Sequence, residues 1–291
     1  MGMPADIGII DCMIGFKNVD VHGAYDFFRP LLKDRQSNEE FQFPVEYMFK
    51  DVPDGIDLHA DAVDETLREM DKYGIEMGLI GVHDETGQRA VKLHPDRFIP
   101  SASADGNKGM QGVHEIKHLY EEFGIRAVGM FPAGCVPQIP INDAKWYPTY
   151  AKCAELGIPV FICAGVPGPR FPMAAQKVEL LDEICWYFPE LTIVTRHGCE
   201  PWQALAVKLM LKWPNLYYST SAFAPKHYPR EIIDYANTRG ADKIMFAGYF
   251  PMGLSLERIF RELPDVPFRD HVWPKFLREN ALRLFGMEQS A

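Results

Sequence analysis

Three side chains capable of acid/base or nucleophilic chemistry stand at the ends of apolar runs in this sequence. Cys163 lies in the run 159–164, His197 follows the run 191–196, and Tyr249 ends the run 243–249. Imidazole has an unperturbed pKa near 6.5, so His197 suits proton transfer at neutral pH. A phenol at Tyr249 could donate a hydrogen bond to an oxyanion or pass a proton. We predict His197 and Tyr249 as the catalytic residues.

A second group of residues near these positions could bind a substrate. Arg170 and Arg196 could each pair with a carboxylate through two parallel hydrogen bonds, and Cys163 could act as a nucleophile if its pKa were lowered. The predicted substrate-binding residues are Asp11, Met13, His83, Cys163, Arg170 and Arg196.

Each candidate also has a structural interpretation. His197 could be a core histidine bonded to backbone, and Tyr249 could fill a hole with an aromatic ring. Cys163 could be a small buried apolar residue, and Asp11 a structural hydrogen-bond acceptor. The two arginines could be solvated or tie strands together.

The apolar runs predict the fold. They are near-continuously apolar, as in strands buried on both faces of a parallel sheet, and several follow a helix-like stretch that ends in glycine, as at Gly74, Gly124 and Gly157. Strands are predicted at 7–14, 76–82, 97–104, 126–131, 159–164, 191–196, 215–221 and 243–249. Eight strands alternating with helices in about 250 residues predict a (β/α)8 TIM barrel. The alternative, an open doubly wound sheet, lacks its GxGxxG motif after the first strand.

The same pattern predicts one domain over 1–291 with an insertion after the first strand. In such a barrel the active residues lie at the C-terminal ends of the strands. The insertion, 16–57, is rich in Phe, Pro and charge and would act there as a lid. It could equally form a packing layer or a dimer contact. Segment 270–286 is predicted to form a closing C-terminal helix.

Composition excludes several classes of function. The chain of 291 residues is 47% hydrophobic, enough for a full core. Its net charge of -10 and its lack of a basic run argue against nucleic-acid binding. No apolar stretch approaches the roughly 20 residues of a membrane helix. No signal peptide and no CxxC motif are visible, so we expect a cytoplasmic protein with reduced thiols. We also expect a small-molecule substrate and consider a homo-oligomer possible.

Five segments form an ordered set of motifs along the chain. They are Ile10–Phe16, Pro159–Gly165, Ile193–Gly198, Lys243–Met252 and Phe276–Gly286. The first is similar to an I-D-x-H-x-H-F pattern and the fourth to K-I-x-F-G-S-D-Y-P-M. Together they resemble the amidohydrolase superfamily, in its amidohydrolase-related branch with aminocarboxymuconate-semialdehyde decarboxylase, γ-resorcylate decarboxylase and several lactone hydrolases. The resemblance covers nearly the whole chain.

The departures from this family pattern fall on its metal ligands. By the resemblance, the two first-strand histidines fall on Met13 and Gly15, the fifth-strand histidine on Cys163 and the eighth-strand aspartate on Tyr249. Only the sixth-strand histidine is kept, as His197. The resemblance implies that this histidine is a general acid/base.

A metal site would have to be rebuilt from other residues. Zinc usually takes at least three protein ligands, and Cys163 with His197 would supply only two. His22, His83 or Asp11 would have to complete the set. We therefore expect no metal cofactor.

These observations predict an enzyme. We expect a metal-independent lyase of the decarboxylase type, or a hydrolase, that acts on a small carboxylated or ring-containing substrate with His197 as acid/base. The alternatives are an inactive homologue that serves as a binding or scaffold protein, a partner subunit of an intact homologue, and a metal-dependent hydrolase with a rebuilt ligand set.

Overall fold

Eight parallel strands form one sheet in a computed structural model that describes residues 2–17, 23–40, 44–49 and 60–288. Every strand pairs with the next one along the chain. The strands are β1 Ile9–Asp11, β2 Ile75–Gly81, β3 Phe98–Ala104, β4 Ala127–Met130, β5 Val160–Cys163, β6 Ile193–Arg196, β7 Leu216–Ser219 and β8 Ile244–Met245. Each overlaps its predicted range, and the predicted TIM barrel is confirmed.

The first strand and the segment after the last one meet through backbone hydrogen bonds. The Tyr249 N–H donates to the Met13 carbonyl at 2.9 Å, and the Gly15 N–H donates to the Phe250 carbonyl at 2.9 Å. This seam closes the barrel beyond the end of β8. It also brings Met13, Gly15 and Tyr249 to one place at the C-terminal end.

Helices alternate with the strands and cover the outside of the barrel. They are α1 Ala62–Lys72, α2 Glu85–Leu93, α3 Met110–Phe123, α4 Tyr147–Leu156, α5 Leu181–Tyr187, α6 Gln203–Lys212, α7 Arg230–Tyr235, α8 Leu256–Glu262 and α9 Asn280–Leu284. Asp61 and Asp84 accept backbone N–H bonds at the starts of α1 and α2. Gly124 and Gly157 end α3 and α4 with φ of 64° and 65°, as glycine permits. No helix in the described ranges is long and apolar enough to cross a membrane.

The C-terminal segment closes the opposite end of the barrel. A π-helical turn, Lys275–Glu279, leads into α9, so the helix begins later than the predicted 270. The buried Asn280 amide donates to the carbonyls of Ala241 and Ile244 at 2.7 and 2.8 Å. Phe285 stacks on the interior Phe161 with ring centres 6.0 Å apart. The N-terminal end of the barrel is therefore filled by side chains.

Alternate strand residues point into the barrel. Ile10, Phe161, Val194 and Met245 belong to one buried interior cluster. The same alternation places the next inward positions, one step nearer the C-terminal end, at Cys12, Cys163, Arg196 and Ala247. A charged residue thus stands in a row that is otherwise apolar.

Candidate active site

Arg196, the last residue of β6, occupies the barrel interior. Its guanidinium carbon lies 4.9 Å from the centre of the Phe161 ring below it. A Cβ atom added to Gly129 of β4 would lie 3.0 Å from its Nη1, so this glycine makes room for the guanidinium. The Nε atom is buried and has no hydrogen-bond partner.

The groups that surround this guanidinium are not carboxylates. The side chains that act electrostatically on its pKa are the thiols of Cys163 and Cys12 and the phenol of Tyr249. Burial lowers the pKa of Arg196 from its ordinary value, but a guanidinium stays protonated in proteins. The barrel mouth therefore holds a positive charge with no counter-ion among the described residues.

His197 follows directly and is held by Ser221, which is fully buried beyond the end of β7. The His197 N–H donates to Ser221 Oγ at 3.2 Å, and the Nδ1 atom lies 3.2 Å from the same oxygen. Burial and, to a smaller extent, the Arg196 cation lower the pKa of His197 to about 3, although the Ser221 bond opposes both effects. The imidazole is thus neutral at physiological pH, which corrects the expectation of an imidazole that titrates near neutrality.

Tyr249 stands beside His197 at the seam. The two rings meet edge to face, with centres 5.2 Å apart and planes at 73°. Burial raises the pKa of Tyr249 far above its ordinary value, and the nearby Tyr25 raises it further. The phenol therefore keeps its proton and can donate a hydrogen bond.

The backbone is strained where these residues stand. Four non-glycine residues have positive φ in the described part of the chain: His197 (65°), Cys199 (60°), Ala222 (69°) and Tyr249 (66°). All four follow the last three strands of the barrel. Such conformations cost about 1–3 kcal/mol each and cluster at functional sites. The strain therefore marks this sector of the mouth independently of the side-chain chemistry.

Cys163 and Met13 reach the mouth without an evident reactive form. Burial raises the pKa of Cys163 to about 11, although Arg196 opposes the shift. The group is then a neutral thiol, which is a poor nucleophile. Met13 packs against the interior cluster. Both residues line the site as apolar surface.

Asp11 lies on the other face of β1 and corrects our prediction of a substrate contact. Its Oδ1 accepts the Met13 N–H at 2.9 Å and the Gly248 N–H at 2.8 Å, while Oδ2 is buried without a partner. Burial raises the pKa of Asp11 to about 7 against the effect of these two bonds. The carboxyl therefore fastens the seam between β1 and the segment after β8.

Arg170 does not reach the interior and corrects a second prediction. Its Nη1 donates to Asp34 at 3.0 Å and to Gln36 at 2.8 Å, and its guanidinium carbon lies 4.4 Å from the centre of the Tyr47 ring. These three partners belong to the insertion. The charge of Arg170 is thus already paired, and the residue holds the insertion in place.

His83 stands at the exposed rim beyond β2. Its side chain is 68% exposed, and its Nε2 lies 3.4 Å from Asp84. The structure places it at the predicted end of the barrel but gives it no contact with His197, Tyr249 or Arg196. Its predicted role in substrate binding stays a prediction.

The insertion covers the C-terminal end of the barrel. Phe28 is buried and meets Phe131 and Phe171, which follow β4 and β5, with ring centres 6.0 and 5.6 Å apart. Phe49 stacks on Tyr249 at 6.0 Å between ring centres. These contacts lie where we predicted a lid. Parts of the predicted segment, including Asp20, His22, Phe41 and Phe43, lie outside the described residues.

A sequence profile of the amidohydrolase family matches residues 88–287. The chain belongs to the amidohydrolase family. No curated protein matches it in sequence.

Solved structures show the same fold over almost the full length. An uncharacterized TIM-barrel protein from Bordetella bronchiseptica is 23% identical with a TM-score of 0.73, covering 97% of this chain and 99% of that chain. 5-Carboxyvanillate decarboxylase from Sphingomonas paucimobilis is 16% identical with a TM-score of 0.66, covering 97% of this chain and 100% of that chain. Dihydroxybenzoic acid decarboxylase from Polaromonas sp. JS666, solved with bound manganese and the inhibitor 2-nitroresorcinol, is 16% identical with a TM-score of 0.68. The match covers 98% of this chain and 98% of that chain. At these identities the likeness shows the fold alone.

The residues of this amidohydrolase do not fit a divalent metal. No three His, Cys, Asp or Glu side chains in the described ranges are grouped so that they could hold an ion. The four positions that resemble the ligand set carry Met13, Gly15, Cys163 and Tyr249, and a metal beside them would face the Arg196 cation. Like charges in such proximity repel. The absence of a metal cofactor itself stays a prediction.

Two contributors to the site escaped the sequence analysis. Gly129 accommodates the guanidinium, and the Phe161 ring supports it from below. A glycine inside an apolar strand run often marks a close approach of another group, so the role of Gly129 could have been predicted from the sequence. The contact of Phe161 with Arg196 could not have been predicted, because an aromatic residue in an interior strand position looks the same in sequence whatever packs against it.

Proposed function

We propose that this amidohydrolase-family protein is a metal-independent enzyme that decarboxylates a small hydroxylated ring acid at the barrel mouth. The observation that carries the proposal is the edge-to-face pair of His197 and Tyr249, a neutral imidazole and a protonated phenol beside one unpaired cation. The pair combines a proton acceptor and a proton donor. The insertion above it would shield the reaction from water.

Decarboxylation of such an acid needs a proton carrier and an electron sink. The ring hydroxyl gives its proton to Nε2 of His197, which has no partner among the described residues, while Nδ1 contacts Ser221. The phenolate raises the electron density of the ring carbon that bears the carboxylate, and that carbon takes the proton from the imidazolium. The C–C bond then breaks, its electron pair returns to the ring, and CO2 leaves.

The substrate itself would make His197 a better base. Within the protein, burial and the Arg196 cation both disfavour the imidazolium. A carboxylate or phenolate bound beside the ring would offset this cation and raise the pKa of His197. Tyr249, still protonated, would donate a hydrogen bond to the developing oxyanion.

Structures with the same fold support this substrate class. Two of them are decarboxylases of 5-carboxyvanillate and of dihydroxybenzoic acid, and a third similar structure is 4-oxalomesaconate hydratase from Rhodopseudomonas palustris. Hydration or lactone opening needs the same acid/base groups, so the hydrolase reaction is the second candidate. The low pKa of His197, about 3, favours a third, a protein that binds its ligand without turnover.

The test is an activity assay with a panel of hydroxybenzoates and ring lactones. The protein is assayed in a buffer that contains a chelator, and its metal content is measured on the same sample. We expect CO2 release from at least one hydroxylated acid. His197→Asn should lower kcat by about 100-fold or more, and Tyr249→Phe by about 10-fold. The matched control is His118→Asn, because His118 is 71% exposed on α3, outside the barrel.

Three outcomes would contradict the proposal. Turnover that requires added manganese or zinc would favour the rebuilt metal site. Lactone opening without CO2 release would make the protein a hydrolase. Tight ligand binding with no product from any member of the panel would make it a binding protein.

A further inference from the structure

We infer that the Arg196 guanidinium takes the place of a catalytic metal as the fixed positive charge of this site and binds the carboxylate of a planar acid. The inference rests on the proposed function for placing the substrate at the mouth. It goes further by naming the group that recognises the substrate and the part of the substrate that it recognises.

The first support is the position of the guanidinium. Its electrostatic neighbours Cys163 and Tyr249 are two of the positions that resemble metal ligands, and Cys12 adjoins a third, Met13. The guanidinium thus supplies positive charge beside positions that resemble metal ligands. The barrel mouth therefore carries a positive charge although these positions hold no metal-binding side chains.

The second support is that the structure holds this cation in place without neutralising it. Phe161 covers one face at 4.9 Å, and Gly129 leaves room for Nη1. Nε is buried without a partner. Removing a charge from water without pairing it is unfavourable, so a carboxylate ligand would satisfy a group that the protein's own residues leave unpaired.

The third support is that other arginines near barrel strands are paired within the protein. Arg170 donates to Asp34 and Gln36, and Arg97 donates to Asp71 at 2.7 Å. Pairing is thus the ordinary state of arginine in this molecule. Arg196 departs from it at the place where a ligand would enter.

Two ligands that differ only in a carboxylate isolate this contact. Isothermal titration calorimetry of the full-length, chelator-treated protein would compare 2,6-dihydroxybenzoate with resorcinol, and salicylate with phenol as a second pair. We expect at least one acid to bind about 30-fold or more tightly than its neutral analogue. Arg196→Gln should abolish the preference, Arg196→Lys should retain part of it because Lys offers a point charge in place of a fork, and the exposed Arg89→Gln should leave it unchanged.

Chemical modification supplies a measurement that needs no variant. Phenylglyoxal should modify Arg196 in the wild-type protein, and a bound acid, but not its neutral analogue, should slow that modification as followed by peptide mass spectrometry. The inference is overturned if no acid outbinds its analogue, if Arg196→Gln keeps the preference, or if the acid gives no protection. Binding through Arg196 without turnover would overturn only the proposed function, and turnover with an unchanged preference in Arg196→Gln would overturn only this inference.

Discussion

The two ends of the barrel differ in how they accommodate a partly buried cation. At the N-terminal end, the Lys243 ammonium donates to the carbonyls of Trp213, Pro214 and Leu216. At the C-terminal end, Arg196 has a buried Nε without a partner and only neutral neighbours. The Lys243 ammonium thus has its hydrogen-bond partners within the fold, whereas the Arg196 guanidinium is left to pair with a ligand.

This difference separates residues that stabilise the barrel from residues that serve its site. Groups with all partners inside the protein contribute to the free energy of unfolding. A group held in place without partners lowers that free energy and is retained for another reason. The four predictions below test the distinction, from the largest expected effect to the smallest.

The largest effect should come from removing the N-terminal cation. Lys243→Met leaves three carbonyls without their donor and should lower the free energy of unfolding by about 4 kcal/mol at pH 6.5. Burial lowers the pKa of Lys243 to about 8, so the side chain is charged at that pH. Urea unfolding would measure the loss, with the exposed Lys208→Met as control. A loss below about 1 kcal/mol would contradict the assignment of a stabilising role.

Asp11 should make the seam sensitive to pH. Its pKa is raised from 3.8 to about 7, so the folded state keeps a proton that the unfolded state releases. This contribution is present below about pH 4 and is lost as the pH rises towards 7. Asp11→Asn removes it, so the stability of the variant relative to wild type should rise by about 1 kcal/mol per pH unit over that range. Urea titrations of both proteins at pH 4 to 8 would measure this difference in the free energy of unfolding. A difference that did not change with pH would mean that Asp11 is ionised in the folded state.

A pair of arginine variants compares the two ends directly. Arg97→Met should destabilise the fold by about 2 kcal/mol, because its guanidinium donates to Asp71 and to the carbonyls of Ile75 and Glu76. Arg196→Met should leave stability unchanged or raise it by about 1 kcal/mol, because it removes a buried charge without a partner. Thermal unfolding without ligand would measure both, and equal losses would abolish the contrast.

Cys163 should give the smallest effect. Its thiol pKa of about 11 keeps it protonated, so Cys163→Ala should change kcat by less than about threefold. Alkylation by iodoacetamide at pH 7.5 should be slow in the folded protein. A loss of activity comparable to that of His197→Asn would restore Cys163 as a nucleophile.

The barrel can be predicted from the sequence because its signals are local. Apolar runs and the glycines at 74, 124 and 157 mark strand and helix ends whatever the rest of the chain does. In the sequence, Arg170 and Arg196 are equally good candidates for a substrate contact, since both follow or end a barrel strand. Only the folded chain distinguishes them, because the partners of Arg170 lie more than 130 residues away, at Asp34 and Gln36.

The sequence by itself determined the fold, its family and the substitution of the four ligand-like positions. Tertiary structure decided the charges: His197 neutral, Tyr249 and Cys163 protonated, Asp11 with a pKa of about 7, and Arg196 unpaired. The physical reason is that strand and helix patterns depend on neighbours in the chain, whereas the charge of a buried group depends on solvent exclusion and on partners brought together by folding.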